Sequence, residues 1–113
     1  QRFWNSPTIC EQPGYMAVDL FNAIYAGRVK AVWIIATNPV VSLPEADRVA
    51  SALEKCELVV HSECVAETDT AKYAHIRLPA VTWGERDGTV TNSERCISRQ
   101  RPFLPQMFTS QQP

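Results

Sequence analysis

Three polar side chains stand just after apolar runs in this sequence, where a β-strand would present them to a ligand. Asn38 follows AVWIIAT, and Ser62 and Glu63 follow LVVH. An amide offers donors and an acceptor, a hydroxyl offers both roles, and a carboxylate accepts two N–H bonds at once. That is equipment for reading a nucleotide. An acid after a second strand takes ribose hydroxyls or the N–H edge of guanine. No GxGxxG or Walker-type loop accompanies them, so the usual phosphate cradle is missing. Taken singly, Asn38 is also a turn residue before Pro39, Ser62 a cap and Glu63 a solvated charge. A second polar concentration, WGERDGTVTNSER at 83–95, gathers Glu85, Arg86, Asp87, Asn92, Glu94 and Arg95 in one short stretch.

Other candidate chemistry is thin. His61 and His75 lie on either side of a short helix and read as packed or surface histidines. Cys64 adjoins Glu63, but no motif sets a base beside it to make a nucleophile. Glu67 and Asp69 read as capping residues, and Trp4, Trp33 and Trp83 as core or interface anchors. The four cysteines, at 10, 56, 64 and 96, form no CxxC pair and have no histidine at zinc-site spacing. They read as reduced thiols used as small apolar residues. A net charge of −1 with interspersed signs gives no basic footprint for nucleic acid and no polybasic segment for a membrane. The longest apolar run, AVWIIA, is too short to cross a bilayer. No charged-then-apolar leader stands in the 113 residues, and the expected setting is cytoplasmic.

The elements that must position these residues are legible in outline. Residues 1–14 form an irregular arm with no periodic pattern. Val18, Phe21, Ile24 and Tyr25 recur at helical spacing until Gly27 stops them. AVWIIA at 31–36 reads as a strand buried on both faces. Ser42-Leu43-Pro44-Glu45 has capping-box spacing and opens a helix through Ala46, Val49, Leu53 and Cys56. LVV at 58–60 is a second strand, 67–74 a short helix and IRLPA at 76–80 a third strand. This alternation predicts an α/β domain over 15–101, a Rossmann-like three-layer arrangement with a short parallel sheet flanked by helices. Residues 102–113 read as a tail. In such sheets ligands bind beyond the carboxyl ends of the strands, which is where Asn38, Ser62 and Glu63 fall.

Two long strings, KAVWIIATNPVVSLPEADRV at 30–49 and ELVVHSECVAETDTAKYAHIRLPAVTWGERDGTVTNSER at 57–95, resemble the molybdopterin oxidoreductase family, in particular its assimilatory nitrate-reducing branch. The resemblance covers roughly residues 2–104 and rests on the ATNP turn, the acid after the next strand, LPA and the WGExDGTxTNSER run. It implies a domain that grips the guanosine and diphosphate of a molybdopterin guanine dinucleotide. In this family reduced molybdenum takes an oxygen atom from nitrate and releases nitrite. Carried over by position, Asn38 would bond phosphate or ribose, Ser62 and Glu63 the nucleoside, and Arg86 a phosphate or sugar. Glu85, Arg86 and Arg95 would face the cofactor and neighbouring domains.

The sequence also departs from the family pattern. Glu63 stands where aspartate is usual, His75 where aspartate is common before LP, and Cys96 where a second arginine follows SER. Nothing matches the iron–sulfur segment or the molybdenum-ligating residue, so any iron–sulfur cluster would belong to other parts of the parent enzyme. The expectation is therefore a domain that is inactive alone, with the remaining domains of the parent or a second copy as partner. Two rivals stand beside it: a non-catalytic interaction module, and a generic nucleotide-binding α/β domain.

Overall fold

The computed structural model describes Phe3 and residues 5–106; Trp4 and most of the expected tail lie outside the described residues. No helix or strand precedes α1 (Ala17–Tyr25) among them. α1 ends because Gly27 takes φ +72, a conformation cheap only without a Cβ. The Gly27 N–H bonds the Ile24 carbonyl and the Arg28 N–H the Ala23 carbonyl, both at 2.9 Å. This is the paired closure of a Schellman motif, and it satisfies carbonyls the helix leaves open.

Strands β1 (Ala31–Ile35), β2 (Leu58–Glu63) and β3 (Ile76–Pro79) form a parallel sheet in the order β1-β2-β3. A short α2 (Pro39–Ser42) and α3 (Ala46–Lys55) connect β1 to β2. The α/β class and the parallel sheet are as the alternation predicts. The register places Val32 beside Val59 and Ile34 beside His61. Phe21 and Ile24 of α1 and Val49, Ala52 and Leu53 of α3 pack with Ile34 and Val59 into one core. Each fully buried aliphatic side chain there contributes roughly 1.5–3 kcal/mol.

Several local expectations are corrected. β1 is covered on one face only: Trp33 is 61% and Ile35 60% exposed, while Ile34 is 5%. Both described helices of the core lie on the Ile34 side, so an all-apolar strand here is half bare. Trp33 and Trp83 are exposed, which removes them from the core. The capping box does not form. Ser42 ends α2, and α3 starts after Glu45 at φ +56 with no side-chain cap. The expected helix at 67–74 shrinks to one 3₁₀ turn, Ala71–Tyr73, whose Ala71 N–H donates to Thr68 Oγ1 at 3.0 Å. Asp69 and Glu67 instead pair with Lys72 and Arg77.

His75 stitches the start of β3 to β2. Its N–H donates to the Val59 carbonyl at 2.9 Å, and its Nδ1 accepts the Val59 N–H at 3.0 Å. An aspartate could accept that same N–H, which gives the substitution before LP a physical sense.

The run at 83–95 is a turn followed by half of a β-hairpin, an element the sequence reading left out. β4 (Gly88–Thr91) pairs antiparallel with β5 (Ile97–Gln100). Asn92 closes the connection: its Oδ1 accepts the Cys96 N–H at 3.0 Å, and Arg95 sits at φ +65. Asp87 and Arg99 bridge the strands at 3.1 Å. Beyond β5, Phe103 and Leu104 return to donate their N–H groups to the Gly84 carbonyl at 2.9 and 3.0 Å.

Candidate functional site

The carboxyl ends of β1, β2 and β3 lie side by side, and they bring part of the expected set together. Glu63 closes β2 with its carboxylate turned back on its own chain. Its Oε1 accepts the Cys64 N–H at 2.7 Å and the Cys64 thiol at 3.1 Å. The thiol bond, then the Cys64 and Val65 N–H groups and the charge of His61, hold this carboxyl below its ordinary value, against the effect of burial. The reciprocal bond pushes the Cys64 thiol up. A thiol held protonated is a poor nucleophile, in keeping with the absence of a base motif.

Glu63 lines a cleft of about 200 Å³ with His61, Cys64, Ala71, Arg77 and Pro79. Whole-ligand pockets start near ~300 Å³, so this one is sized for part of a larger molecule. His61 is 2% exposed and its Nε2 lies 3.3 Å from the Thr37 carbonyl, a packed histidine as expected. Arg77 crosses from β3 to hold the wall of the cleft. Its Nε donates to the Ala71 carbonyl at 3.0 Å, and its Nη1 donates to the Ala66 carbonyl at 3.4 Å and to Glu67 at 3.0 Å.

Asn38, after β1, does not line this cleft but is tied to its wall through Thr70, the neighbour of Ala71. Its Oδ1 accepts both the Thr70 N–H at 3.2 Å and the Thr70 hydroxyl at 2.6 Å. Ser62 does not line the cleft either. Successive side chains of a strand point to opposite faces, so Ser62 lies with Trp33 on the bare face, where its Oγ accepts the indole N–H at 2.8 Å. A ligand touching Ser62 and Glu63 together would have to straddle the end of β2. Arg86 is exposed on the turn after β3 and has no side-chain partner among the described residues. That turn starts next to β2, for the Ala80 N–H bonds the Glu63 carbonyl at 3.1 Å. Glu85 is turned inward instead of facing out. It is 9% exposed, and its Oε2 accepts the Thr82 N–H at 2.8 Å and the Thr82 hydroxyl at 3.1 Å.

Sequence reasoning missed Arg77, and it missed Thr70 and the Trp33–Ser62 bond, which join residues 32 and 29 positions apart. The carboxyl edge thus offers an amide and, at the Glu63 cleft, a carboxylate whose four acceptor positions are only partly used, while the Ser62 hydroxyl stands on the other face. Among the described residues no cluster of His, Cys, Asp or Glu could hold a metal ion, and no helix is long and apolar enough to cross a membrane.

An open parallel sheet with polar residues on its carboxyl edge defines a ligand-binding α/β scaffold. The chain belongs to the molybdopterin oxidoreductase family, whose sequence pattern matches residues 8–112. It is 60% identical over 104 residues to a nitrate reductase of Klebsiella oxytoca, covering 92% of this chain and 12% of that protein. A nitrate reductase of Shewanella frigidimarina is 52% identical over 102 residues, 90% of this chain and 11% of its own length. An F420-dependent formate dehydrogenase subunit alpha of Methanocaldococcus jannaschii is 42% identical over 69 residues, 61% of this chain and 10% of that subunit. The chain thus spans about an eighth of the length of the nitrate reductases it matches.

Proposed function

We propose that this chain is the part of a molybdenum-dependent, assimilatory nitrate reductase that grips the guanine dinucleotide end of the cofactor, and that it is inactive alone. The observation that supports this reading is the placing of Glu63, in a cleft at the carboxyl edge, and of Asn38, tied to the wall of that cleft through Thr70, at the ends of neighbouring strands. Asn38 would hold a phosphate or ribose oxygen, Glu63 the N–H edge of guanine, Ser62 a nucleoside hydroxyl from the opposite face, and Arg86 a phosphate by charge. When bound, the cofactor supplies molybdenum as acceptor of the nitrate oxygen; an iron–sulfur cluster and the metal's ligand belong to other parts of the parent enzyme. An assimilatory role sets the enzyme in the cytoplasm, although one relative, 37% identical over 101 residues, is a periplasmic nitrate reductase.

The partner in this reading is the rest of the parent enzyme. The support is the bare face of the sheet, where Trp33, Ile35, Ile76 and Leu78 are each at least 40% exposed. Parallel sheets are buried on both faces. Calorimetric titration with GDP, with ADP as control, tests the nucleotide reading: saturable GDP binding that Glu63→Ala abolishes is expected. No GDP binding at millimolar concentration, together with a dimer in sedimentation, would favour the second reading. That reading is an interaction module whose second copy covers the same bare face.

A further inference from the structure

Thr70 is fully buried, 0% exposed, between the loop after β2 and the turn after β1. Its backbone N–H and its hydroxyl both donate to one atom, Asn38 Oδ1, at 3.2 and 2.6 Å. The same hydroxyl oxygen lies 3.3 Å from the Val40 N–H. A backbone N–H can only donate, so the Thr70 oxygen is the acceptor of that bond and its own proton is committed to Asn38. The direction of the chain is thereby fixed as Val40 N–H to Thr70 O–H to Asn38 carbonyl oxygen. With its oxygen engaged twice, the Asn38 amide has a single orientation, and its NH₂ group points away from Thr70.

Two further observations say where that NH₂ goes. Asn38 precedes α2 at the N-cap position, yet it makes no side-chain cap bond. Its oxygen, the usual capping atom, is spent on Thr70. Among the described residues no buried side-chain nitrogen or oxygen lacks a hydrogen bond, and the Asn38 NH₂ makes none with any of them. The group is therefore open to solvent.

Building on the nucleotide reading above, we infer that Thr70 is a positioning residue: it locks the Asn38 amide so that its two N–H donors face an acceptor oxygen of the bound diphosphate. Without the lock, the amide can turn and offer its oxygen to an anion, a repulsive contact. The lock also couples the ends of β1 and β2, because Thr70 is next to Ala71, which lines the Glu63 cleft.

The test compares Thr70→Val, which keeps the shape and deletes the hydroxyl, with Thr70→Ser, which restores it, and with Asn38→Asp, which keeps the locked oxygen but replaces the NH₂ by an acceptor. Affinity for GDP and for guanosine is measured calorimetrically. The Asn38 side-chain amide is followed by ¹⁵N NMR without ligand, and circular dichroism checks folding. Thr70→Val is expected to weaken GDP on the order of tenfold, the worth of a bond to a charged group. Thr70→Ser should recover it, Asn38→Asp should lose more than Thr70→Val, and guanosine affinity should stay level throughout. Because the Thr70 backbone N–H still bonds Asn38 Oδ1, the amide signal of the folded Thr70→Val chain should move part of the way toward the free-asparagine position.

Folded Thr70→Val that binds GDP like the unaltered chain, or leaves the amide signal in place, would overturn the positioning role. If the unaltered chain shows a locked amide signal but binds no GDP, the nucleotide reading falls and takes the ligand role of the lock with it.

Discussion

Ile34 and Ile35 carry the same side chain at adjacent positions of one strand, yet Ile34 is 5% exposed and Ile35 60%. On the Ile34 side, α1 and α3 bring Phe21, Ile24, Val49 and Leu53 onto the sheet and close a core. The Ile35 side holds Trp33, Ile76 and Leu78, all exposed, with one polar contact between Trp33 and Ser62. The first face stabilises this chain; the second adds little to it. The same apolar strand thus supports a core on one side and leaves an exposed apolar surface on the other.

One substitution made at both positions separates the two faces most strongly. Ile34→Ala should destabilise the chain by about 2–5 kcal/mol through a buried cavity. Ile35→Ala should stay within about 0.5 kcal/mol, as for surface changes. Denaturant melts of the two variants decide it, and equal losses would mean that Ile35 is covered in solution. A smaller effect is expected at Gly84, where an added Cβ would lie 3.0 Å from Phe103 Cζ and 3.2 Å from Leu104 Cδ1. Because both side chains are more than half exposed and able to give way, Gly84→Ala should cost about 1 kcal/mol, the low end of overpacking. The Trp83–Phe103 pair, 5.0 Å apart and tilted, should separate, read as a change in tryptophan fluorescence.

The smallest effect concerns the hairpin, which has no covered face of its own. The Arg99 hydrogen bond to Asp87, then its charge, holds the Asp87 carboxyl below its ordinary value. A depressed carboxyl adds stability above its unfolded value, and that contribution is lost as pH falls through the folded one. Acidification below the ordinary carboxylate range should thus loosen β4–β5 before the parallel sheet, seen as earlier amide exchange at Thr89 and Val90. Asp87→Asn should remove this pH dependence with little change at neutral pH, since exposed ion pairs contribute little.

Much of the scaffold was legible because it depends on local rules. Gly27 stops α1 by conformation, and the run 31–35 is apolar and β-branched enough to be a strand under any cover. The hairpin had weaker signals. Thr89-Val90-Thr91 and Ile97 carry β-favouring residues around Asn92-Ser93, but the charges among them read as a loop. The capping box failed for a positional reason: Ser42 was already used to end α2. At the site, Asn38 and Glu63 were found by their place after apolar runs. Thr70 was not, because nothing near it in sequence shows that it bonds a residue 32 positions away.

The sequence by itself determined the α/β alternation and the family, since these follow from periodicity, turn chemistry and motif order along the chain; β2, expected over 58–60, instead runs through Ser62 to Glu63. Only the tertiary structure decided which face of the sheet is covered, that Ser62 and Glu63 point to opposite sides, and which way the Asn38 amide faces. Each of those depends on register and on contacts between distant segments, and a one-residue change of parity reverses a side chain without altering the composition that announced it.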